Sequence, residues 1–366
     1  MSTVKKHSDE FAEAIDGGTG RVLKLLIVDD SKILRDSVTR IFENDKDVEI
    51  VGLATNGREA LDLVKQHRPD VITLDIRMPE MDGVTALKHI MIRYPTPVVM
   101  LSSLTMEGAA VTFDALRYGA VDFIAKPSAV DGEDVTAQES EIRNKVKFAS
   151  VVEVEAIKYI RNLANMDLMG RDASHPECNH VVAIGSAEGG YGALLKIVPN
   201  LRADHQAAYV ITLYAAPEYV DAFATYLNNY SAVEVRRAVH DDVLRPGVCY
   251  LNSGHNYMTV HKDADNACRL HVQPAPFASR KGAIDMLMFS VAEALGENAM
   301  GIVLSGTGSD GAEGMEEIHR VGGTALVQDL KTCLFKNMVN AAVAWCPDAR
   351  PVGDSHLADV VNELLE

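Results

Sequence analysis

Two doubly wound parallel-sheet α/β domains, joined by a partly helical linker, are what this sequence predicts. Short apolar runs alternate with amphipathic helical stretches from Val22 to Ala125, and the same alternation resumes at Val181. Between them, from Ser128 to His180, the composition turns acidic and then carries a single helical apolar stripe. Buried strands alternating with amphipathic helices imply parallel sheets covered on both faces.

The first strand is Val22–Val28, closing on Asp29 and Asp30. The helix after it has apolar residues at Ile33, Leu34, Val38, Ile41 and Phe42, near the helical period. Four more units follow: a strand at 48–54 with a helix at 57–66, 71–75 with 84–94, 97–101 with 109–118, and 121–125. The last strand ends on Lys126 and Pro127, with room for one more helix beyond. Working residues in such sheets sit at the carboxyl ends of strands, and Asp29, Asp30, Asp75, Ser102 and Lys126 all fall there. Converging carboxylates repel one another unless they hold a hard divalent cation, and magnesium suits a few carboxylates, a carbonyl and water. A carboxylate is also a competent nucleophile toward a phosphoryl group. Lys126 can pair with the acyl phosphate so formed, and the Ser102 hydroxyl can swing to bond it. One strand-end aspartate alone reads equally well as a helix cap, but this set at these positions favours chemistry.

On these residues the chain resembles the response-regulator receiver family, over positions 22 to about 140. The matching positions are Asp29 and Asp30, the segment Leu74 to Pro79 with Met81 to Gly83, Ser102, and Lys126 with Pro127. The resemblance implies a flavodoxin-like sheet with Asp75 as phosphoacceptor for a sensor histidine kinase. It implies that Asp30, Asp75 and the Arg77 backbone carbonyl bind magnesium with help from Asp29. It also makes Ser102, Lys126 and the aromatic Phe123 the switch residues. Each receiver motif position is filled.

Residues 1–21 are polar, end in a glycine-rich run, and read as a flexible extension, with Phe11 to Ile15 able to dock as a short helix. The receiver-like domain is expected over 22–140 and a partly helical linker over 141–179. Its stripe of Ile142, Val146, Ala149, Val152, Ala156, Ile157, Ile160 and Leu163 suits a helix from Glu139 to Asn165. Packing between domains is the favoured reading of that stripe, and a partner-binding helix the sharper one.

The second domain, expected over 180–366, opens on an apolar strand from Val181 that runs into Gly185-Ser186-Ala187-Glu188-Gly189 and a helix from Tyr191 to Val198. Strand, sharp glycine turn and helix is the context in which an esterase presents its nucleophile as Gly-x-nucleophile-x-Gly. The central residue here is Ala187, which has no nucleophile, and Ser186 lies one position early. Further strands are expected at 207–213, 233–238, 248–251, 258–261, 300–304 and 324–328. Helices are expected at 219–228, 284–295 (with Met286, Leu287 and Phe289 inward), up to Val321, 337–344 and 356–365.

This half is similar to the catalytic domain of the chemotaxis protein-glutamate methylesterase family. The resemblance is carried by Ala183 to Gly190, by Gly301 to Met315 with its Ser305-Gly-Thr-Gly-Ser-Asp310-Gly core, and by a receiver in front. The family hydrolyses with a serine, a histidine and an aspartate, the serine losing its proton to the imidazole and the aspartate orienting it. The resemblance places those positions at Ala187, Tyr214 and Asp310. Only the aspartate survives, and a phenol with a pKa of about 10 is a poor base at neutral pH. The family's Gly-Met-Pro is here Asn337-Met-Val339, and its Arg/Pro-rich approach segment is Phe277 to Gly282.

A formal net charge of −17 over 366 residues argues against nucleic acid as a partner. Five widely spaced cysteines without a Cys-x-x-Cys pair read as reduced thiols, not a disulfide or zinc framework. No stretch has signal-peptide or membrane-spanning character, so a cytoplasmic protein, not inserted in a membrane, is expected. The favoured reading is a phosphorylation-controlled pseudo-methylesterase, which binds its partner without hydrolysing it. That partner is either the cytoplasmic helices of chemoreceptors or another signalling protein, and competition with an active paralogue for phosphate is a further role. The rival keeps methylesterase or glutamine deamidase activity through a rearranged site. For it Ser186, Ser305, Thr307 or Ser309 would supply the hydroxyl and His240 or His255 the base. Asp310 on its own also reads as a cap for the helix that follows it.

Overall fold

The first sheet has the order β2-β1-β3-β4-β5, built from β1 (Leu23–Val28), β2 (Val48–Ala54), β3 (Val71–Asp75), β4 (Val98–Ser102) and β5 (Asp122–Ala125). That order is the flavodoxin-like one, in which the strand sequence reverses beside β1 and leaves a crevice at the strand carboxyl ends. Its helices are α1 (Lys32–Phe42), α2 (Gly57–His67), α3 (Gly83–Arg93) and α4 (Met106–Arg117). In this computed structural model the described residues are 22–102, 106–126, 135–152, 154, 178–274 and 282–366. The expected N-terminal extension, Pro127, much of the linker and most of the Phe277 to Gly282 segment lie outside them. The chain divides into two compact units, one of residues 1–101 and 126–155 and the other of residues 102–125 and 156–366.

Register places the first set of carboxylates. β1 and β3 pair in parallel with Val28 beside Leu74, so the next residues, Asp29 and Asp75, leave the sheet side by side. β3 and β4 are fully buried runs, as strands covered on both faces must be. Gly83 then lets α3 begin hard against the loop after Asp75. A Cβ on Gly83 would lie 1.9 Å from the Asp75 carbonyl oxygen, and the Gly83 N–H donates to the Ile76 carbonyl at 2.9 Å. Asp82 caps that helix through the Thr85 N–H.

The helix expected from Glu139 to Asn165 instead runs from Val135 to Ala149, as α5. The Ser150 hydroxyl bonds back to the Lys147 carbonyl, and Val151 and Val152 follow in a turn and an extended step, a combination that ends helices. The remainder of the stripe, from Ala156 on, lies outside the described residues. α5 is tied to its own unit by Lys147 to Asp45 at 2.8 Å and by Arg143 donating to the Ile41 carbonyl at 2.8 Å.

The second sheet has seven strands in the order β14-β13-β12-β6-β7-β9-β8. They are β6 (His180–Ser186), β7 (Ala207–Leu213), β8 (Glu234–Arg237), β9 (Val248–Ser253), β12 (Ala299–Val303), β13 (Thr324–Gln328) and β14 (Arg350–Val352). All six pairings are parallel. Chain order reverses at β6, which lies between β12 and β7, so a crevice opens at the carboxyl ends of these three strands. The helices are α6 (Gly190–Ile197), α7 (Pro217–Asn228), α8 (Ala283–Leu295), α9 (Ala312–Arg320), α10 (Asn337–Trp345) and α11 (Leu357–Leu364).

An antiparallel hairpin of β10 (Asn256–Lys262) and β11 (Cys268–Pro274) packs on α8. Sequence reading misses β11 and the three-residue β14, one being mixed in polarity and the other short. It also misjudges one face of α8. Met288 points inward with Leu287, while Met286 is exposed and Phe289 half-buried, because the buried stripe follows Ile284, Leu287, Met288 and Val291. The five cysteines are free thiols, four of them buried, and burial pushes Cys178 and Cys333 up to about 12. No helix of the described residues is long and apolar enough to cross a membrane.

Gly83→Ala forces a methyl group into a backbone oxygen and should destabilise the first sheet by about 2–3 kcal/mol. Urea unfolding of the variant checks this, and a change below about 0.5 kcal/mol would show that the close approach is not needed.

Candidate functional sites

At the carboxyl end of the first sheet, Asp29, Asp30 and Asp75 bring carboxylate oxygens within 4.8 Å of one another. Asp29 and Asp75 are buried and Asp30 is exposed. Lys126 reaches in from the end of β5, with Nζ 2.7 Å from Asp75 Oδ1 and 3.2 Å from Asp29 Oδ2. The Ser31 and Arg77 N–H groups donate to Asp29 Oδ1 at 2.8 Å and to Asp75 Oδ1 at 3.3 Å. Burial pushes the Asp75 carboxyl up from its usual range, opposed by Lys126 and reinforced by the Asp29 charge. Burial works against the charged Lys126, but the bond and charge of Asp75 outweigh it and hold the ammonium above its usual range.

Buried Asp75 Oδ2 has no hydrogen-bond partner among the described residues. One ammonium against three carboxylates leaves a deficit of positive charge, and this oxygen-only donor set fits a hard divalent cation. The Ser102 hydroxyl, at the end of β4, is hydrogen-bonded to Thr112 Oγ1 at 2.7 Å. Phe123 is buried, and within the second unit its ring packs against Phe113, Tyr191 and Tyr219, with centroids 6.1, 5.2 and 4.8 Å away.

The second crevice is assembled from three loops. After β6 comes Ala187, 3 % exposed, its N–H donating to the Ser305 carbonyl at 3.2 Å. Gly189 takes a left-handed φ of +77°, and a Cβ on Gly190 would lie 1.6 Å from Ser186 Oγ. Ser186 is therefore sealed inside the turn, fully buried, with Oγ 3.5 Å from the Ser305 carbonyl. A one-residue step along a strand sends the side chain to the other face, and this one packs against Gly190 at the start of α6.

Of the other hydroxyls proposed for a rearranged site, those of Ser305 and Thr307 have structural partners. Ser305 Oγ accepts from the Phe335 N–H at 2.9 Å and is buried. Thr307 Oγ1 donates to Glu188 Oε2 at 2.7 Å, so Glu188, beside Ala187, staples the elbow to the β12 loop. Ser309 is exposed. His240 accepts from the Val272 N–H at 3.3 Å and packs on His271 of β11, while the His255 N–H donates to Ser253 Oγ.

Tyr214 leaves the end of β7 with its ring flat on Gly254, where a Cβ would lie 2.1 Å from the ring. Its hydroxyl donates to Asp310 Oδ2 at 2.5 Å and accepts from the Ala283 N–H at 3.2 Å. Burial, followed by the adjacent Asp310 charge, pushes the phenol far above its usual range, so it is locked as a donor. Asp310 also accepts from the Ile284 N–H at 2.9 Å and the Asp285 N–H at 3.0 Å. It thus caps α8, which precedes it in the chain, and not the following α9, whose N-cap residue is Gly311 and whose Gly314 N–H donates to Asp285 instead. Capping by a carboxylate at a helix N-terminus is favoured by the orphan N–H groups and the dipole.

Asp285 is a participant that sequence reading missed. It faces Asp310 and accepts from the Gly314 N–H at 2.8 Å. Burial pushes its carboxyl up to about 7, the Gly314 bond opposes the rise, and the Asp310 charge adds to it. The only sequence signal was an acid in the first turn of α8, which is unremarkable until the fold brings Asp310 opposite.

Asp285→Asn should remove a pH dependence of stability. A carboxyl raised in the folded state costs stability as pH climbs from about 4, where the unfolded chain ionises, to about 7. Wild type should therefore lose melting temperature over that window, and the variant, whose amide keeps the same bonds, should lose less. Parallel melting curves from pH 4 to 8 check it, and identical slopes would refute it. Tyr214→Phe should destabilise by about 1–2 kcal/mol, since Asp310 loses a charge-assisted bond; unchanged urea denaturation would contradict that.

Comparison with known proteins matches residues 25–134 to the response regulator receiver domain and residues 182–355 to the CheB methylesterase model. A protein-glutamate methylesterase/protein-glutamine glutaminase of Archaeoglobus fulgidus is 39% identical over 351 residues, 94% of this chain and 98% of its own. One of the same description from Pyrococcus horikoshii is 36% identical over 326 residues, 88% of each chain. Among solved structures, the response regulator domain of Thermotoga maritima CheB is 44% identical. It covers 36% of this chain and 99% of its own, with a TM-score of 0.34.

Proposed function

The chain belongs to the CheB methylesterase family of chemotaxis response regulators, and from that premise we propose that it is a phosphorylation-switched binding protein whose second domain has lost hydrolysis. The observation that carries this reading is the Tyr214–Asp310 bond, together with alanine at position 187. The aspartate accepts from a phenol that cannot take a proton, and the central elbow residue, Ala187, has no hydroxyl. Burial of Ser186 and the structural partners of Ser305 and Thr307 support it further.

In the first domain, Asp75 is the phosphoacceptor for a histidine kinase of chemotaxis type. Asp29, Asp30, Asp75 and the Arg77 carbonyl would hold magnesium, which when bound neutralises charge on the transferred oxygens. The Asp75 carboxylate would attack the phosphorus of the kinase's phosphohistidine, the P–N bond breaking as the imidazole leaves, and Lys126, 2.7 Å away, would pair with the acyl phosphate that results. Ser102 then exchanges its Thr112 bond for a phosphate oxygen. Release of Phe123 from its aromatic neighbours would change the second domain's exposed surface. The partner it then engages is the cytoplasmic helices of chemoreceptors or another signalling protein, in the cytoplasm.

The relatives' names favour a second reading, an active protein-glutamate methylesterase or glutamine deamidase working through a rearranged site. Restoring the missing groups separates the two. Ala187→Ser with Tyr214→His should release methanol from methylated receptor helices on the order of a hundredfold faster than wild type, with neither single change sufficient. A wild type as fast as an active relative, and unimproved by the double substitution, would overturn the proposal. Asp75→Asn should abolish labelling by a small-molecule phosphodonor with magnesium; persistent labelling would place the phosphate elsewhere.

A further inference from the structure

Three histidines converge on the outer face of the β10–β11 hairpin, remote in role from both sites above. Residues of one strand alternate between faces. Met258, Val260, Cys268 and Leu270 take the inner face with α8 in the core, and the Val260 N–H donates to Ser290 of that helix. That leaves Thr259, His261 and His271 on the outer face. Thr259 lies directly opposite His271, and His261 opposite Arg269, so the two imidazoles are diagonal neighbours. The segment after β8 lies along the other edge of β11, with Asp241 N–H to the Leu270 carbonyl and Leu270 N–H to the Asp242 carbonyl, both at 2.8 Å. It delivers His240 to the same face.

All three imidazoles are exposed, yet Thr259 beneath them is only 6 % exposed. The ring centroids of His240 and His271 are 4.5 Å apart, and those of His261 and His271 are 6.0 Å apart. Two imidazoles bound to one tetrahedral ion at metal–nitrogen distances of about 2 Å place their centroids roughly 5 Å apart. The observed spacings bracket that value. As placed, the three ring nitrogens do not meet at one point, so binding would require these exposed rings to turn.

Hydrogen bonding already sorts the nitrogens. Thr259 Oγ1 is 2.8 Å from His261 Nε2 and 3.5 Å from the His271 carbonyl, and donating to that carbonyl would leave it to accept from Nε2. In that tautomer His261 Nδ1 carries the lone pair, oriented by a polar partner on the other nitrogen as in metal-binding imidazoles. The His240 lone pair is spent only on a 3.3 Å bond from the Val272 N–H, which an ion would replace. Neighbouring Asp263 is taken up by Arg269 at 2.7 Å, so the open donors of this face are nitrogen.

We propose that His261 and His271, completed by His240, form a surface site for a borderline divalent transition ion of the zinc or nickel class, distinct from the oxygen-only cluster around Asp75. Nitrogen donors select such ions over magnesium. The ion would pin the segment after β8 to the hairpin.

The probe is zinc ion alone, titrated calorimetrically into the full chain in buffer with excess magnesium. One zinc per chain is expected, with binding unchanged in Asp75→Asn and at least tenfold weaker in His271→Ala. His261→Asn should behave as His271→Ala does, and far-UV circular dichroism verifies that both variants are folded. No zinc binding by wild type, or equal affinity in wild type and both folded histidine variants, would overturn the proposal.

Discussion

The Asp310 carboxylate is the point on which the second site depends. Three donors from two other elements end on it: the Tyr214 hydroxyl from the end of β7, and the Ile284 and Asp285 N–H groups at the start of α8. These bonds tie the β12 loop to α8 and to the strand that carries Tyr214. In a serine hydrolase the equivalent carboxylate orients an imidazole that shuttles a proton. Here its second partner is a phenol held as a donor by burial and by that same negative charge. The bond joins the end of β7 to the β12 loop, and with the two α8 N–H bonds it fixes the geometry of this end of the sheet.

The two sites differ in how charge is treated. Around Asp75 the carboxylates are left under-neutralised, with one lysine and an unpartnered buried oxygen, a state suited to a reaction that brings in a cation and a phosphoryl group. Around Asp310 the negative charge is met by three donors, and the one neighbouring carboxyl, Asp285, is driven toward its neutral form by burial and by Asp310. The first arrangement is poised to change, whereas the second resists it.

Much of this was legible in the sequence, for identifiable reasons. Strand ends in a doubly wound sheet are fixed by alternation alone, so Asp29, Asp75, Ser102 and Lys126 could be placed at one rim before any coordinates. Alanine at the central elbow position was equally plain, because Gly-x-x-x-Gly spacing has a single centre, residue 187. Contacts across the fold were not legible. Asp310 read as a cap for the helix after it, and it caps α8, brought over by β12. Ser186 looked like a spare hydroxyl until the close approach of Gly190 sealed it. The linker helix ended early because a serine bond and two β-branched residues outweighed an apolar stripe, and the face of α8 was misjudged because Met286 and Met288 are equally apolar.

The most direct measurement is methanol release from methylated chemoreceptor helices by the full chain phosphorylated at Asp75, beside an active family member. The account predicts release indistinguishable from buffer while the phosphorylated protein still changes its tryptic cleavage pattern. Release within about tenfold of the active relative, abolished by Asp310→Ala, would contradict it, since that aspartate would then be supporting catalysis and not only a cap.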